Sequence, residues 1–181
     1  MVHWCYVVMS YVVIAYPDIS QKDLDWVQET RQKNDPIMFR VVKPHVTFIF
    51  PTSKLNESIL IKHVNTKIVG VKPFSVKFDK TKVVEDDSKT YFHAFLAPSI
   101  GFNEIIKLHD NLYTDVLKSE LRLDIPFIPH LGIGTNKDKR SMTNLTKQID
   151  YKKLSISGEI KTLTIAKYEN NKVQDVAEVT L

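Results

Sequence analysis

The stretch 43-KPHVTFI-49 is matched later in the chain by 128-IPHLGIG-134. Both copies read Pro-His-aliphatic-x-apolar, and their histidines, His45 and His130, are separated by nearly half of the 181-residue sequence. In each copy the histidine opens a run of β-branched or apolar residues, which is typical of a strand. The repeat therefore predicts two similar halves, each of which supplies one histidine from a strand.

Period-two alternation puts His45 on the same strand face as Thr47, and His130 on the same face as Gly132. If the halves pair about a pseudo-two-fold axis, these faces confront each other across a cleft. Two imidazoles on opposite walls suit in-line displacement at phosphorus, because one removes a proton from the attacking oxygen and the other protonates the leaving oxygen. A hydroxyl two residues after the histidine can donate to a phosphate oxygen, and no metal is needed.

The paired motifs resemble those of the two-histidine (2H) phosphoesterase superfamily, which carries His-x-Thr/Ser twice and includes 2′-5′ RNA ligase-like proteins and RNA 2′,3′-cyclic phosphodiesterases. The resemblance implies a bilobal α+β fold, with residues 1–181 forming one domain of two antiparallel-sheet lobes, outer helices and a central cleft. It also implies a metal-independent phosphodiesterase acting on a 2′,3′-cyclic phosphate or a 2′-5′ linkage. His45 and His130 would be its acid and base in either order, and Thr47 would orient the phosphate.

The second motif departs from the family pattern because Gly132 stands where the family has Thr or Ser. The backbone N–H of Gly132, the hydroxyl of Thr135, or a basic side chain among Lys137, Lys139 and Arg140 could bind phosphate instead. Alternatively, the site is weakened, or is tuned to a bulkier substrate. A non-catalytic module that binds a nucleotide or an RNA end is therefore the second candidate function.

The expected roles of three other histidines, His63, His93 and His109, follow from their surroundings in the sequence. Tyr91, His93 and Phe95 share one face of a predicted strand, where the rings of Tyr91 and Phe95 either stack on a base or belong to the core. His109 falls on the apolar face of a predicted helix and His63 on a helix flank, so both are expected to be structural. A third hypothesis is an α+β protein in which the two Pro-His strands are coincidental.

Composition excludes several classes of function. The chain has 5 glycines, none arranged as G-x-G-x-x-G or as a Walker loop, so it carries neither standard glycine-based phosphate site. Cys5 is the single cysteine, which excludes an intramolecular disulfide and a cysteine zinc site. A net charge of +4 fits a small anionic or RNA-end substrate better than a long duplex.

The first 17 residues contain no charged side chain, yet they lack the basic region and cleavage site of a signal peptide and are too short to span a membrane. A buried strand over 11–16 is expected there. We expect a cytoplasmic protein with no cofactor, no membrane association and no obligate protein partner, whose partner is an RNA or nucleotide substrate.

Periodicity, capping residues and turn residues predict the remaining elements. Asp18 and Ser20 can cap the first helix, and Asn56 is the expected cap of the second. The predicted helices cover 20–32, 56–69, 102–121 and 142–149. The predicted strands after the first cover 41–50, 74–78, 90–96, 127–133, 160–168 and 173–181, with turns at 85–88 and 169–172.

Overall fold

The structure is a computed structural model that describes residues 9–181; Cys5 and the start of the apolar N-terminal stretch lie outside them. The described residues contain four α-helices: α1 Gln21–Asn34, α2 Glu57–Lys67, α3 Phe102–Leu112 and α4 Lys139–Tyr151. Their strands are β1 Ser10–Ala15, β2 Asp18–Ile19, β3 Val46–Thr52, β4 Phe74–Glu85, β5 Phe92–Ile100, β6 Leu131–Asn136, β7 Ile156–Ile160, β8 Thr162–Glu169 and β9 Lys172–Thr180.

The strands form two sheets in which the paired strands are antiparallel. One sheet has four strands in the order β3-β1-β8-β9, and the other has five in the order β2-β7-β4-β5-β6. The predicted α+β class with two antiparallel-sheet lobes and outer helices is confirmed. The sheets do not divide at mid-chain, however, because β8 returns to pair with β1 and β9 adds to β8.

Each Pro-His motif opens an edge strand. β3 lies at one edge of the four-stranded sheet and β6 at one edge of the five-stranded sheet. The buried residues Pro44 and Pro129 stand just ahead of these strands. A proline has no N–H for a sheet ladder, so it is tolerated at the entry to a strand but not within a central one.

The two predicted helix caps are confirmed. The Ser20 hydroxyl accepts a hydrogen bond from the Asp23 N–H, and the Asn56 side chain accepts one from the Ile59 N–H. These bonds satisfy amide groups that the first turn of a helix leaves without partners. The hairpins at 85–88 and 169–172 are also present, joining β4 to β5 and β8 to β9.

The predicted helix over 102–121 is too long. α3 ends at Leu112, and a separate 3-10 helix covers Asp115–Glu120. Between them Thr114 is extended, with φ −111° and ψ 173°, and Asp115 adopts a positive φ of 49°, so the helical path is interrupted. The 3-10 turn still buries Leu117, so the apolar spacing reflects burial without a continuous helix.

Three strand predictions also need correction. Residues 127–130 are not part of a strand, since β6 begins only at Leu131, and β3 begins at Val46 rather than at 41. β4 continues to Glu85, well past the predicted end at 78. β7 was not predicted.

The helices tie the two lobes together. α1 packs against β6, while α3 packs against β3, so each motif strand is supported by a helix from the other part of the chain. One continuous core includes Phe48 of β3, Phe78 of β4 and Ile133 of β6, which are fully buried. Among the helices of residues 9–181, none is both long and apolar enough to cross a bilayer.

Candidate active site

Both motif histidines line a single cavity between the lobes. This small cavity has a volume of about 270 Å³, and its lining includes His45, His93, Phe95, His130, Gly132 and Thr135. The structure thus brings the two Pro-His motifs together, as the repeat predicts. Within the described part of the chain, His, Cys, Asp and Glu side chains form no cluster of three or more that could ligate a metal.

The two imidazoles are held in the same way. His45 Nδ1 lies 2.8 Å from the carbonyl oxygen of Lys43, and His130 Nδ1 lies 2.6 Å from that of Ile128. A carbonyl oxygen only accepts, so Nδ1 carries the proton in both rings. In the neutral state each Nε2 therefore keeps its lone pair for proton transfer.

Burial favours the neutral form of both rings. The pKa of His130 is lowered to about 4, chiefly by desolvation and further by the positive charges of His45 and His93, although the bond to the Ile128 carbonyl opposes this. The ring of Phe95 stacks on His130 with 3.5 Å between centroids and excludes water from that face.

The pKa of His45 is likewise lowered by desolvation. The hydrogen bond to the Lys43 carbonyl opposes the shift, and the charge of Arg31 adds to it. Without a bound anion, both histidines are therefore neutral near pH 7.

A β-bulge brings Thr135 to the cavity. In the pairing of β5 with β6, Phe95 lies opposite Gly132 and Ala94 opposite Gly134, which leaves Ile133 as an extra residue. Strict alternation would turn Thr135 away from the face of His130, whereas the extra residue reverses the alternation. Thr135 consequently lies opposite His93, and its Oγ1 is 3.1 Å from His93 Nδ1.

Gly132 leaves an open space beside His130. A β-carbon at this position would have no heavy atom within 4 Å beyond its chain neighbours. At Gly134 a β-carbon would lie 3.0 Å from both Met142 Sδ and Leu145 Cδ2. Packing therefore restricts Gly134, whereas Gly132 is a position where a hydroxyl-bearing side chain would fit.

Other predicted site residues lie outside the small cavity. Thr47 sits opposite Ile14 in the pairing of β3 with β1, half-buried. Tyr91 packs under the ammonium group of Lys137, 5.6 Å from its ring centroid, and Arg140 is exposed in the first turn of α4. The sequence places these three residues near the histidines, but in the structure they do not line the small cavity.

The two histidines expected to be structural are buried in packing contacts. The ring of His109 stacks on Phe127 with 3.7 Å between centroids. His63 Nε2 lies 2.8 Å from the carbonyl oxygen of Leu112. Neither residue lines the small cavity.

Arg31 and Asp35 line the small cavity but were not predicted as site residues. The Arg31 guanidinium is 2% exposed and donates to the carbonyl oxygens of Met38 (3.0 Å) and Val42 (2.8 Å) as well as to Asp35. It thereby fixes the loop that leads into Pro44-His45. The sequence does contain a signal, because Arg31 follows Val27 by four residues and so lies on the buried face of α1.

A large cavity of about 550 Å³ adjoins the small one, and His93, Phe95 and His130 line both. Phe50 also lines both, and the other walls of the large cavity include Tyr113, Arg122, Asp86, Asp87 and Glu120. The site thus combines a compact compartment between the histidines with a wider hollow on one side.

The family model described as the 2′-5′ RNA ligase superfamily matches residues 17–172. The chain belongs to this superfamily. The resemblance to 2H phosphoesterases that the Pro-His repeat predicts is thereby confirmed. No curated protein matches the chain significantly in sequence.

Solved structures share the fold of this superfamily member at low sequence identity. Escherichia coli LigT complexed with 3′-AMP superposes with a TM-score of 0.59 at 12% identity, covering 97% of this chain and 98% of LigT. Kluyveromyces marxianus Usb1 gives a TM-score of 0.55 at 11% identity, covering 97% of this chain and 99% of Usb1. The Usb1 structure with uridine monophosphate gives 0.54 at 10% identity over 96% of this chain and 98% of that one.

Proposed function

We propose that this member of the 2′-5′ RNA ligase superfamily is a metal-independent phosphodiesterase acting on RNA-type substrates that carry a 2′,3′-cyclic phosphate or a 2′-5′ linkage. The observation that carries the proposal is the pair of imidazoles, His45 and His130, on one cavity with both Nδ1 atoms anchored on carbonyl oxygens. Two half-buried histidines held for packing alone need not present the same nitrogen to one shared cavity.

For a cyclic phosphate, water attacks phosphorus while the Nε2 of one neutral histidine accepts a water proton. A new P–O bond to the water oxygen forms as the P–O bond to one ribose oxygen breaks. The second histidine, protonated beforehand, gives its Nε2 proton to that departing oxygen. After the step the protonation states of the two rings are exchanged, and solvent restores them.

The negative charge of a bound phosphate supplies the protonated partner. Desolvation disfavours the imidazolium form in the unliganded cavity, whereas a phosphate within a few ångströms favours it. Binding of the anion therefore creates the one-neutral, one-protonated state that the reaction requires. This reasoning applies to either assignment of acid and base to His45 and His130.

The two cavities fit a nucleotide in size and character. The small cavity would hold the phosphate beside the two histidines, and the large cavity would hold the nucleoside against rings such as Phe50 and Tyr113. The structures of LigT with 3′-AMP and of Usb1 with uridine monophosphate support a ligand of this class. The ring of Phe95 already stacks with two histidine rings, His130 at 3.5 Å and His93 at 5.9 Å between centroids, so we assign Phe95 to shielding His130 rather than to stacking on a base.

Among the candidate phosphate ligands, Gly132 and Thr135 line the small cavity, so the phosphate is assigned to this wall. Thr47 remains the predicted hydroxyl of the first motif, two residues after His45. Arg140 would act only at longer range, by attracting an anion toward the site.

The open position at Gly132 favours one alternative, a module that binds a nucleotide or RNA end without turnover. Gly132→Thr distinguishes the two functions, because the added side chain has room. Turnover that appears or rises in Gly132→Thr indicates an enzyme with a weakened site. Nucleotide binding without turnover in both proteins indicates the binding module.

The principal test is hydrolysis of nucleoside 2′,3′-cyclic phosphates and of 2′-5′-linked dinucleotides in excess EDTA, followed by chromatography of the products. His45→Gln and His130→Gln are each expected to lose about 100-fold or more in turnover, as is usual when a general acid or base is removed. Gln148→Ala, at an exposed position of α4, is the matched control and should retain wild-type turnover. Turnover that requires added metal, or that survives either histidine substitution, would overturn the proposal.

A further inference from the structure

His93 and Thr135 form a pair that the two-histidine scheme does not use. They lie directly opposite each other on β5 and β6, and both line the small cavity with His130. Thr135 is 4% exposed, and its Oγ1 lies 3.1 Å from His93 Nδ1. A buried hydroxyl held by a half-buried imidazole on the wall of a candidate phosphate site is not explained by the two-histidine scheme.

The bulge in the pairing of β5 with β6 places Thr135 opposite His93. If Ile133 paired regularly with Ala94, Thr135 would lie opposite Phe92 and its hydroxyl would face away from the cavity. Because of the bulge, Gly132 and Thr135 of this edge strand line the same cavity as His130, which stands just before the strand. The hydroxyl missing two residues after His130 is thus replaced, on the same wall, by one five residues after it.

The hydrogen-bonding capacity of the pair suits an anion. If His93 Nδ1–H donates to Thr135 Oγ1, the hydroxyl proton is free to donate to a phosphate oxygen. If the hydroxyl instead donates to Nδ1, His93 carries its proton on Nε2 and that N–H is the free donor. Either tautomer of the neutral pair therefore keeps one donor that the pair itself does not consume.

We propose that the His93–Thr135 pair is the second phosphate-binding element of the site, in which the Thr135 hydroxyl donates to a non-bridging phosphate oxygen and His93 is the residue that positions it. The proposal rests on the proposed function, since it assumes that the phosphate lies between His45 and His130. It assigns to the bulged strand the task that the second motif leaves open at Gly132.

Thr135→Val is the central variant, because valine keeps the shape of threonine and removes only the hydroxyl. The probes are inorganic phosphate, measured by calorimetric titration, and a nucleoside 2′,3′-cyclic phosphate, measured by kcat and KM. We expect Thr135→Val to weaken phosphate binding and to lower kcat/KM by about 10- to 100-fold, the usual effect of losing a hydrogen bond to a charged group. Thr135→Ser should stay within about threefold of wild type.

His93 is tested through its coupling to Thr135. His93→Phe keeps a ring beside Phe95 but cannot bond to the hydroxyl, whereas His93→Asn places an amide near the former Nδ1. His93→Phe should reproduce the loss seen in Thr135→Val, His93→Asn should recover part of it, and the His93→Phe/Thr135→Val double variant should be no worse than either single variant. A merely structural role would instead give additive losses and no recovery in His93→Asn.

Gly132→Thr in the Thr135→Val background provides a gain-of-function test. We expect it to recover at least tenfold of the lost phosphate affinity, because it restores a hydroxyl at the motif position where a side chain has room. Thermal melts establish that each variant is folded.

Two negative results have different meanings. If Thr135→Val binds phosphate and turns over like wild type while His45→Gln is inactive, the pair has no such role and the proposed function stands. If the wild-type protein neither binds phosphate nor turns over the cyclic substrate, both proposals fail.

Discussion

The depressed pKa of His130 predicts how the stability of the protein depends on pH. The ring is held neutral by its desolvated position against Phe95, with a pKa of about 4, whereas a histidine in an unfolded chain has a pKa of about 6.5. Between these values the unfolded state binds more protons than the folded state does. The free energy of unfolding therefore falls as the pH drops from about 6.5 to about 4.

At about 1.4 kcal/mol for each pH unit, the gap between the two pKa values corresponds to about 3 kcal/mol. Other groups also lower the stability of the protein in acid. Several aspartates, including Asp79, have lowered pKa values, so the folded state favours their charged form and is destabilised when they are protonated. The test is therefore the difference between wild type and His130→Gln, which removes the titrating ring and leaves those carboxylates in place.

Urea unfolding of both proteins between pH 7 and pH 4 measures this difference. His130→Gln is expected to be the less stable protein at pH 7, but its stability should fall by about 3 kcal/mol less on acidification. Gln148→Ala should follow the wild-type curve, since it changes an exposed residue that does not titrate. NMR titration gives an independent reading: Phe95→Ala should raise the pKa of His130 by admitting water. Parallel stability curves for wild type and His130→Gln would refute the assignment of His130 as a desolvated, neutral ring.

Three other predictions concern the site and the fold. Because the pKa of each motif histidine is lowered in the free protein, the singly protonated pair is most abundant in acid, and kcat/KM should peak below pH 6.5 and fall at higher pH. Arg31→Met should lower the free energy of unfolding in urea melts by about 3–5 kcal/mol, because it leaves the Asp35 carboxylate and two carbonyls buried without their partner. Lys161→Met, at an exposed ion pair, is the control and should change stability little. Gly101→Ala should lower the free energy of unfolding by about 3 kcal/mol in the same melts, because φ is +83° and a β-carbon would lie 2.6 Å from a backbone oxygen. Gly70→Ala, at φ +81° but in open space, should lower it by only about 1 kcal/mol.

Features of the fold that depend on local chemistry were predicted from the sequence. Ser20 and Asn56 cap helices because their side chains satisfy first-turn amides, and the turn at 169–172 forms because Asn170 and Asn171 tolerate positive φ. The end of α3 was not predicted. The helix is interrupted by the extended backbone of Thr114 and the positive φ of Asp115, which the apolar spacing over 102–121 does not indicate.

The candidate site was also predicted only where local sequence patterns determine it. Two Pro-His strands at half-chain spacing predict that His45 and His130 meet, and they do share a cavity. Strict alternation does not predict that Thr135 reaches that cavity, because a bulge depends on the pairing of two strands rather than on one strand alone. The role of His93 as a partner of Thr135 was hidden for the same reason. The catalytic roles themselves stay predictions.

The return of β8 and β9 to the first sheet affects how the protein folds. β1 lies between β3 and β8, so Ser10 pairs with Tyr168 across almost the whole chain. During synthesis the lobe that carries His45 lacks two of its four strands until β8 and β9 have left the ribosome. Contacts of such long sequence separation slow folding, since a large loop must close before the pairing is gained. The first histidine of the site is thus translated early, but its supporting sheet is completed last.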